Sequence, residues 1–219
     1  MINNIIFDFD GVLVDSEILV AKSFTKYLNE SGFDFKEKEF SEFAGLKTVE
    51  VISILSEKFS IKNEKKFHND IMNIAGNIYS HELKSVIGSY DFIKDSNLEL
   101  YIGSNSYSKR ILEGLKKVNF DKFFNFNKIY SFDMVNKPKP FPDIYLKAIN
   151  DNHLIKNETL IIEDSSVGVK AGVAAGVKVV GITAGSHWYN ERSNKELFES
   201  GAIEVVNSYS ELNNLIESY

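Results

Sequence analysis

The chain has 219 residues and no cysteine. Disulfides and thiolate-bound metals are therefore excluded, and a reducing cytoplasm is the expected compartment. The opening residues lack the basic-then-apolar pattern of a secretory signal. Long uncharged apolar runs are missing too. The best stretch, Val167 to Ala184, is broken by Lys170, Lys178 and several glycines, so no membrane partner is expected. Positive charge is in deficit: Lys and Arg number 25 against 31 Asp and Glu, a formal net charge of -6 that argues against nucleic acid. A small anionic substrate remains compatible, because one metal ion and one or two lysines reverse a local field. There is no internal repeat, low-complexity run or long linker. Proline is scarce, and its three copies, Pro138, Pro140 and Pro142, all fall in one segment.

The hydrophobic fraction of 43% is that of an ordinary globular protein, and the length suits one large domain carrying a small insert. Ile2 to Asp8 reads as a buried strand. From about Asp15 to His81 the pattern is helical, with Ile18, Leu19, Phe24, Tyr27 and Leu28, then Val51, Ile52, Leu55 and Phe59, at helix spacing. After Gly88 strands and helices alternate. Strands are expected at Leu98 to Ile102, Ile129-Tyr130, Thr159 to Ile162, Lys178 to Ile182 and Ile203 to Val206. Helices are expected at Lys109 to Val118, Asp143 to Ile149 and after Asp164. This alternation predicts an α/β fold: a Rossmann-like parallel sheet with helices on both faces, interrupted between its first two strands by a helical unit. The expected division is 1-16 and 83-219 for the sheet domain and 17-82 for the insert. Gly168, Gly172 and Gly176, spaced by four, lie on one helical face and suggest close helix-sheet packing, with Gly176 also a helix terminator.

The first strand ends on two carboxylates, Asp8 and Asp10, followed by Gly11. Charge at the end of a buried strand is costly unless paired, and a divalent cation is a natural partner for two such groups. In open α/β sheets ligands bind beyond the carboxyl ends of the strands. Three further polar sets fall there: Ser104-Asn105, the Asn136-Lys137-Pro138-Lys139-Pro140-Phe141-Pro142-Asp143 segment, and Glu163-Asp164. Each has a plain reading. Ser165 or Ser166 caps the following helix, Glu163 and Asp164 favour its dipole, and the prolines stiffen a connector before the helix at Asp143. Their joint appearance in this order is harder to explain as capping, and a stiff loop also mounts a lysine well.

These motifs resemble the haloacid dehalogenase superfamily, in its branch of β-phosphoglucomutase-like proteins and sugar-phosphate phosphatases. The resemblance rests on Asp8-Phe9-Asp10-Gly11-Val12-Leu13-Val14-Asp15-Ser16, Ser104-Asn105, Lys139-Pro140-Phe141-Pro142-Asp143 and Glu163-Asp164-Ser165-Ser166-Val167-Gly168, and spans nearly the whole chain. It implies a nucleophile at Asp8 and a general acid-base at Asp10. It places Mg²⁺ between Asp8, the backbone carbonyl of Asp10 and Asp164, with Glu163 a direct or supporting ligand. Ser104 and Lys139 are implied to hold phosphoryl oxygens, assisted by Gly11, Asn105 and the amides near Phe9. Lys137 competes with Lys139, and the family's Lys-Pro-x-Pro-Asp spacing favours Lys139. Asp10 argues for phosphate-ester cleavage, since halide displacement needs no proton donor.

The insert, Glu17 to Glu82, matches the family's cap, and Phe43-Ala44-Gly45-Leu46-Lys47-Thr48-Val49-Glu50 matches its specificity loop. Lys47 is the candidate substrate contact there, against the plain reading of a solvated surface lysine. β-Phosphoglucomutases carry a His where this chain has Val20 and an Arg where it has Thr48. The resemblance therefore implies a Mg²⁺-dependent phosphatase acting on a sugar, sugar-acid or polyol phosphate, with the phosphomutase as alternative and a non-catalytic binding protein as a third reading. No obligate protein partner is implied. His187 and Trp188, after Gly185-Ser186, either border the entrance or pack structurally. His68, His81 and His153 show no metal-ligand spacing, and the 17 Phe read as core.

Overall fold

The computed structural model describes residues 1-43, 46, 48-189 and 192-219. The chain forms two compact units, Met1–Asp15 with Lys84–Tyr219, and Ser16–Leu83.

The larger unit is built on six strands: β1 (Asn4–Phe7), β2 (Glu99–Ser104), β3 (Ile129–Ser131), β4 (Thr159–Glu163), β5 (Lys178–Ile182) and β6 (Glu204–Val206). They pair in the order β3-β2-β1-β4-β5-β6, and every pairing is parallel. Its helices are α4 (Ser89–Asp95), α5 (Ser108–Lys117), α6 (Asp143–Asp151), α7 (Ser166–Ala174), α8 (Lys195–Glu199) and α9 (Tyr209–Glu217). Strands covered on both faces read as continuous apolar runs, and the four residues of β1 are buried throughout. Ile6, Ile161, Val179, Tyr145 and Val169 form part of one core against α6 and α7. The register sets Phe7 level with both Ile102 and Ile162, so Asp8, Ser104 and Glu163 leave the sheet at the same end. β1 is shorter at both ends than the sequence suggested: Ile2 and Asn3 lie outside it, and Asp8 keeps only a backbone bond to Ile162 O at 2.9 Å.

The smaller unit contains α1 (Glu17–Glu30), a 3₁₀ segment (Glu37–Phe43), α2 (Thr48–Lys58) and α3 (Glu64–Glu82). Its core gathers Phe24, Leu28, Phe35, Phe43, Val51, Ile52, Leu55, Phe67 and Ile71. Phe67 stacks on Tyr27 at 4.7 Å between ring centres and meets Phe24 edge-on at 5.9 Å. Among the described residues, no helix is long and apolar enough to cross a membrane.

The chain leaves and re-enters the larger unit through one paired gate. Val14 and Ser85 form an antiparallel bridge, the Asp15 amide donates to Lys84 O at 2.9 Å, and the Val86 amide donates to Leu13 O at 3.0 Å.

Candidate active site

Four ionisable side chains meet beyond the carboxyl ends of β1 and β4. Lys139 Nζ donates to Asp8 Oδ1 at 2.5 Å and to Glu163 Oε1 at 2.6 Å. Asp8, Glu163 and Asp164 each bring a carboxylate oxygen to within 4.8 Å of the others. All four residues are buried. Burial pushes the Asp8 carboxyl well up, Lys139 opposes this, and the charges of Glu163 and Asp164 reinforce it. Burial and Glu163 push Asp164 up as well. Burial alone would lower the Lys139 ammonium, but Asp8 and Glu163 outweigh it and hold it above its ordinary value.

Three carboxylates against one ammonium leave a formal surplus of two negative charges. An all-oxygen donor set with that surplus fits a hard divalent cation. Within the set the three carboxylates differ. Glu163 is fully engaged by the protein: Oε1 accepts from Lys139 and from Tyr145 Oη at 2.7 Å, while Oε2 accepts from the Ser165 hydroxyl at 3.1 Å and the Asp164 and Ser165 amides. Asp8 and Asp164 have fewer protein donors. Asp164 Oδ2 faces His187 Nε2 at 3.0 Å.

The local backbone explains how the carboxylates come so close. Gly11 follows Asp10 with φ of +78°, a conformation that favours glycine, and a Cβ there would fall 2.0 Å from Asp164 Oδ2. Gly11 thus makes room for Asp164. Ser165 caps α7, its Oγ accepting from the Gly168 amide at 3.1 Å.

The Asp10 carboxylate is not one of the three clustered groups, though its charge also pushes Asp164 up. Asp10 Oδ2 accepts from Ser106 Oγ at 2.5 Å and Asp10 Oδ1 from Arg110 Nη2 at 3.1 Å. Ser104 is buried, and its Oγ accepts from the Ser106 amide at 2.9 Å. The Asn105 side chain clamps the backbone of Lys139: Oδ1 accepts from its amide at 2.9 Å and Nδ2 donates to its carbonyl at 3.2 Å. The clamp thus holds both backbone polar groups of Lys139, the residue before the cis bond to Pro140. Lys137 instead lies exposed, its Nζ 5.2 Å from the centre of the Phe141 ring. Lys47 lies outside the described residues.

Sequence reasoning missed Tyr145, Ser106 and Arg110. Nothing in the pattern separates Tyr145 from the core aromatics around it. Ser106 lies in the turn before α5 and Arg110 in its first turn, so no helical spacing links them, and the fold alone brings both to Asp10.

A six-stranded parallel sheet with a buried carboxylate-lysine cluster at its carboxyl end defines a doubly wound α/β protein with an acidic catalytic-type centre. The chain belongs to the haloacid dehalogenase-like hydrolase family, whose sequence model matches residues 5–182. It is similar to a phosphorylated carbohydrates phosphatase of Thermotoga maritima, 28% identical over 219 residues that cover 97% of this chain and 98% of that one. Among solved structures, a conserved haloacid dehalogenase-like protein of unknown function from Agrobacterium tumefaciens superposes with a TM-score of 0.90 at 29% identity, covering 100% of this chain and 99% of that one. A putative β-phosphoglucomutase from Thermotoga maritima does so with a TM-score of 0.80 at 26% identity, covering 99% of each.

Proposed function

We propose that this protein is a Mg²⁺-dependent phosphatase of small phosphorylated metabolites, in the sugar, sugar-acid or polyol class. The buried Asp8-Lys139-Glu163-Asp164 cluster carries the reading: it pairs one nucleophile-type carboxylate with a fixed ammonium and a surplus of charge suited to a divalent ion.

In this reading Asp8 Oδ attacks the phosphorus, and the bond from phosphorus to the ester oxygen breaks. Asp10 gives a proton to the departing alcohol oxygen. Asp10 then takes a proton from water, whose oxygen attacks the phosphoryl group, and Asp8 is released as a carboxylate with inorganic phosphate. Ser106 and Arg110 hold the Asp10 carboxylate in place. Lys139, fixed by Asn105 and Glu163, supplies a positive charge beside the attacking oxygen. Asp8, Asp164 and the backbone carbonyl of Asp10 are the proposed cation ligands, with Glu163 holding Lys139. When bound, Mg²⁺ neutralises the approach of the phosphate to Asp8. Choice among esters is assigned to the helical unit, with Lys47 as its candidate contact.

The test is hydrolysis of an aryl phosphate. Activity is expected with Mg²⁺, to stop with EDTA, and to fall to background in Asp8→Asn. Retained turnover in that variant removes Asp8 as nucleophile. Similarity to the putative β-phosphoglucomutase supports a second reading, which phosphorus NMR separates: a hexose 1-phosphate yields free phosphate with a phosphatase and the 6-phosphate with a mutase. Val20 and Thr48 stand where mutases carry His and Arg, which favours the phosphatase.

A further inference from the structure

Beyond β5 the chain continues as Thr183-Ala184-Gly185-Ser186-His187-Trp188. Asp15 captures this segment at Ser186: Oδ1 accepts from the backbone amide at 2.9 Å and Oδ2 from the hydroxyl. The Trp188 amide donates to Gly185 O at 3.0 Å, closing a turn that holds His187 at its centre. His187 Nε2 then reaches Asp164 Oδ2 at 3.0 Å, with the two side chains only 12% and 6% exposed.

Two glycines from separate loops leave space for this one contact. A Cβ at Gly11 would fall 2.0 Å from Asp164 Oδ2 and 3.0 Å from His187 Cε1. A Cβ at Gly185 would fall 2.7 Å from Gly11 O and 2.8 Å from His187 Nδ1 and Cε1. The ring therefore sits in a built slot, anchored at Ser186.

We propose that His187 is a positioning residue for the cation site: its Nε2-H donates to Asp164 Oδ2, fixes the rotation of that carboxylate and leaves Oδ1 for the metal. The inference rests on the metal-site reading above and adds a residue to it. A carboxylate with both oxygens unrestrained can swing between one-oxygen and two-oxygen ligation. Mg²⁺ demands near-octahedral geometry and tolerates that poorly, so a donor that occupies one oxygen favours the one-oxygen form. His187 is not itself one of the three clustered ligand residues. It acts through Asp164.

Isothermal titration of Mg²⁺ and Mn²⁺ into the full chain tests this, beside the thermal transition of each variant. His187→Ala is expected to weaken both cations by about 10- to 100-fold, the usual effect of losing such a supporting contact. His187→Asn keeps an N-H donor and should recover part of the loss. The Mg²⁺ concentration giving half-maximal hydrolysis should rise by a matching factor in His187→Ala. Should His187→Ala lose its folding transition, Asp15→Asn, which loosens the Ser186 anchor without touching the ring, must weaken binding in the same direction. Unchanged affinity in His187→Ala overturns the proposal while leaving the metal site standing, and so does equal weakening in the Ala and Asn variants, which would point to lost packing. Wild-type protein that binds neither cation overturns the metal site and this inference together.

Discussion

Gly168 in α7 sits directly against the Glu163 carboxylate. A Cβ at that position would fall 1.7 Å from Oε1 and 2.2 Å from Oε2. The glycine is a condition for the carboxylate that holds Lys139. Gly172, one turn on, is different in kind: its hypothetical Cβ meets Val179 Cγ2 at 2.6 Å and Ile161 Cδ1 at 3.1 Å, both apolar.

Both Gly168→Ala and Gly172→Ala overpack, so each should lower stability by about 1–3 kcal/mol. Only Gly168→Ala should also displace Glu163, release Lys139 and cut the hydrolytic rate steeply. Denaturant midpoints read the first effect and kcat the second. Equal kcat in the two variants would show that Glu163 does not govern Lys139.

Tyr145→Phe isolates one hydrogen bond. The ring stays beneath Lys139 Nζ, now 4.7 Å from its centre, while the hydroxyl that donates to Glu163 Oε1 is lost. A hydrogen bond to a charged group contributes about 1.5–3 kcal/mol, and a loss in that range is expected from urea denaturation. A variant as stable as wild type would mean that Lys139 alone satisfies Oε1.

Protons and the cation compete for the same carboxylates. Burial lifts Asp8 and Asp164 well above their ordinary value of 3.8, so between that value and the raised ones the folded chain binds more protons than the unfolded one. Without metal, these two groups therefore make stability fall as pH rises through that window. A bound cation requires them ionised. The rise in Tm produced by Mg²⁺ should be largest at neutral pH and shrink on acidification through the window. A rise that keeps its size on acidification toward the ordinary carboxylate value would contradict the assignment of both carboxylates as ligands.

Ser106 and Arg110 hold the carboxylate of Asp10 and not its backbone carbonyl, so proton transfer by that carboxylate is expected to separate from metal binding. Ser106→Ala and Arg110→Ala should lower kcat while leaving the calorimetric affinity for Mg²⁺ within about twofold, far less than the 10- to 100-fold expected for a supporting metal contact. Loss of metal affinity in either variant would place Asp10 among the ligands through its side chain.

Much of this was legible in the chain itself. Apolar runs ending in Asp8, Ser104 and Glu163 announced parallel strands with a polar common end, and the sheet has that form. The two charge-bearing loops were legible because buried carboxylates and clustered prolines are rare enough to notice. Asn105 was less so. Its amide is spent on the Lys139 backbone 34 residues away, a contact that only the tertiary fold creates. Gly168 was expected to serve helix packing, yet it faces a carboxylate, because spacing reveals a shared face but not what lies opposite it. Tyr145 was hidden among core aromatics, since its hydroxyl matters only once Glu163 is placed above it.

The gate at Val14 and Ser85 has a consequence for ancestry. Exit and return are neighbouring rungs of one short ladder, so the sheet registers nothing about how many residues lie between them. A lineage can lengthen, shorten or exchange everything from Ser16 to Leu83 while the strands keep their alignment. Under the proposed division of roles, reactivity and selectivity are thereby free to diverge at different tempos.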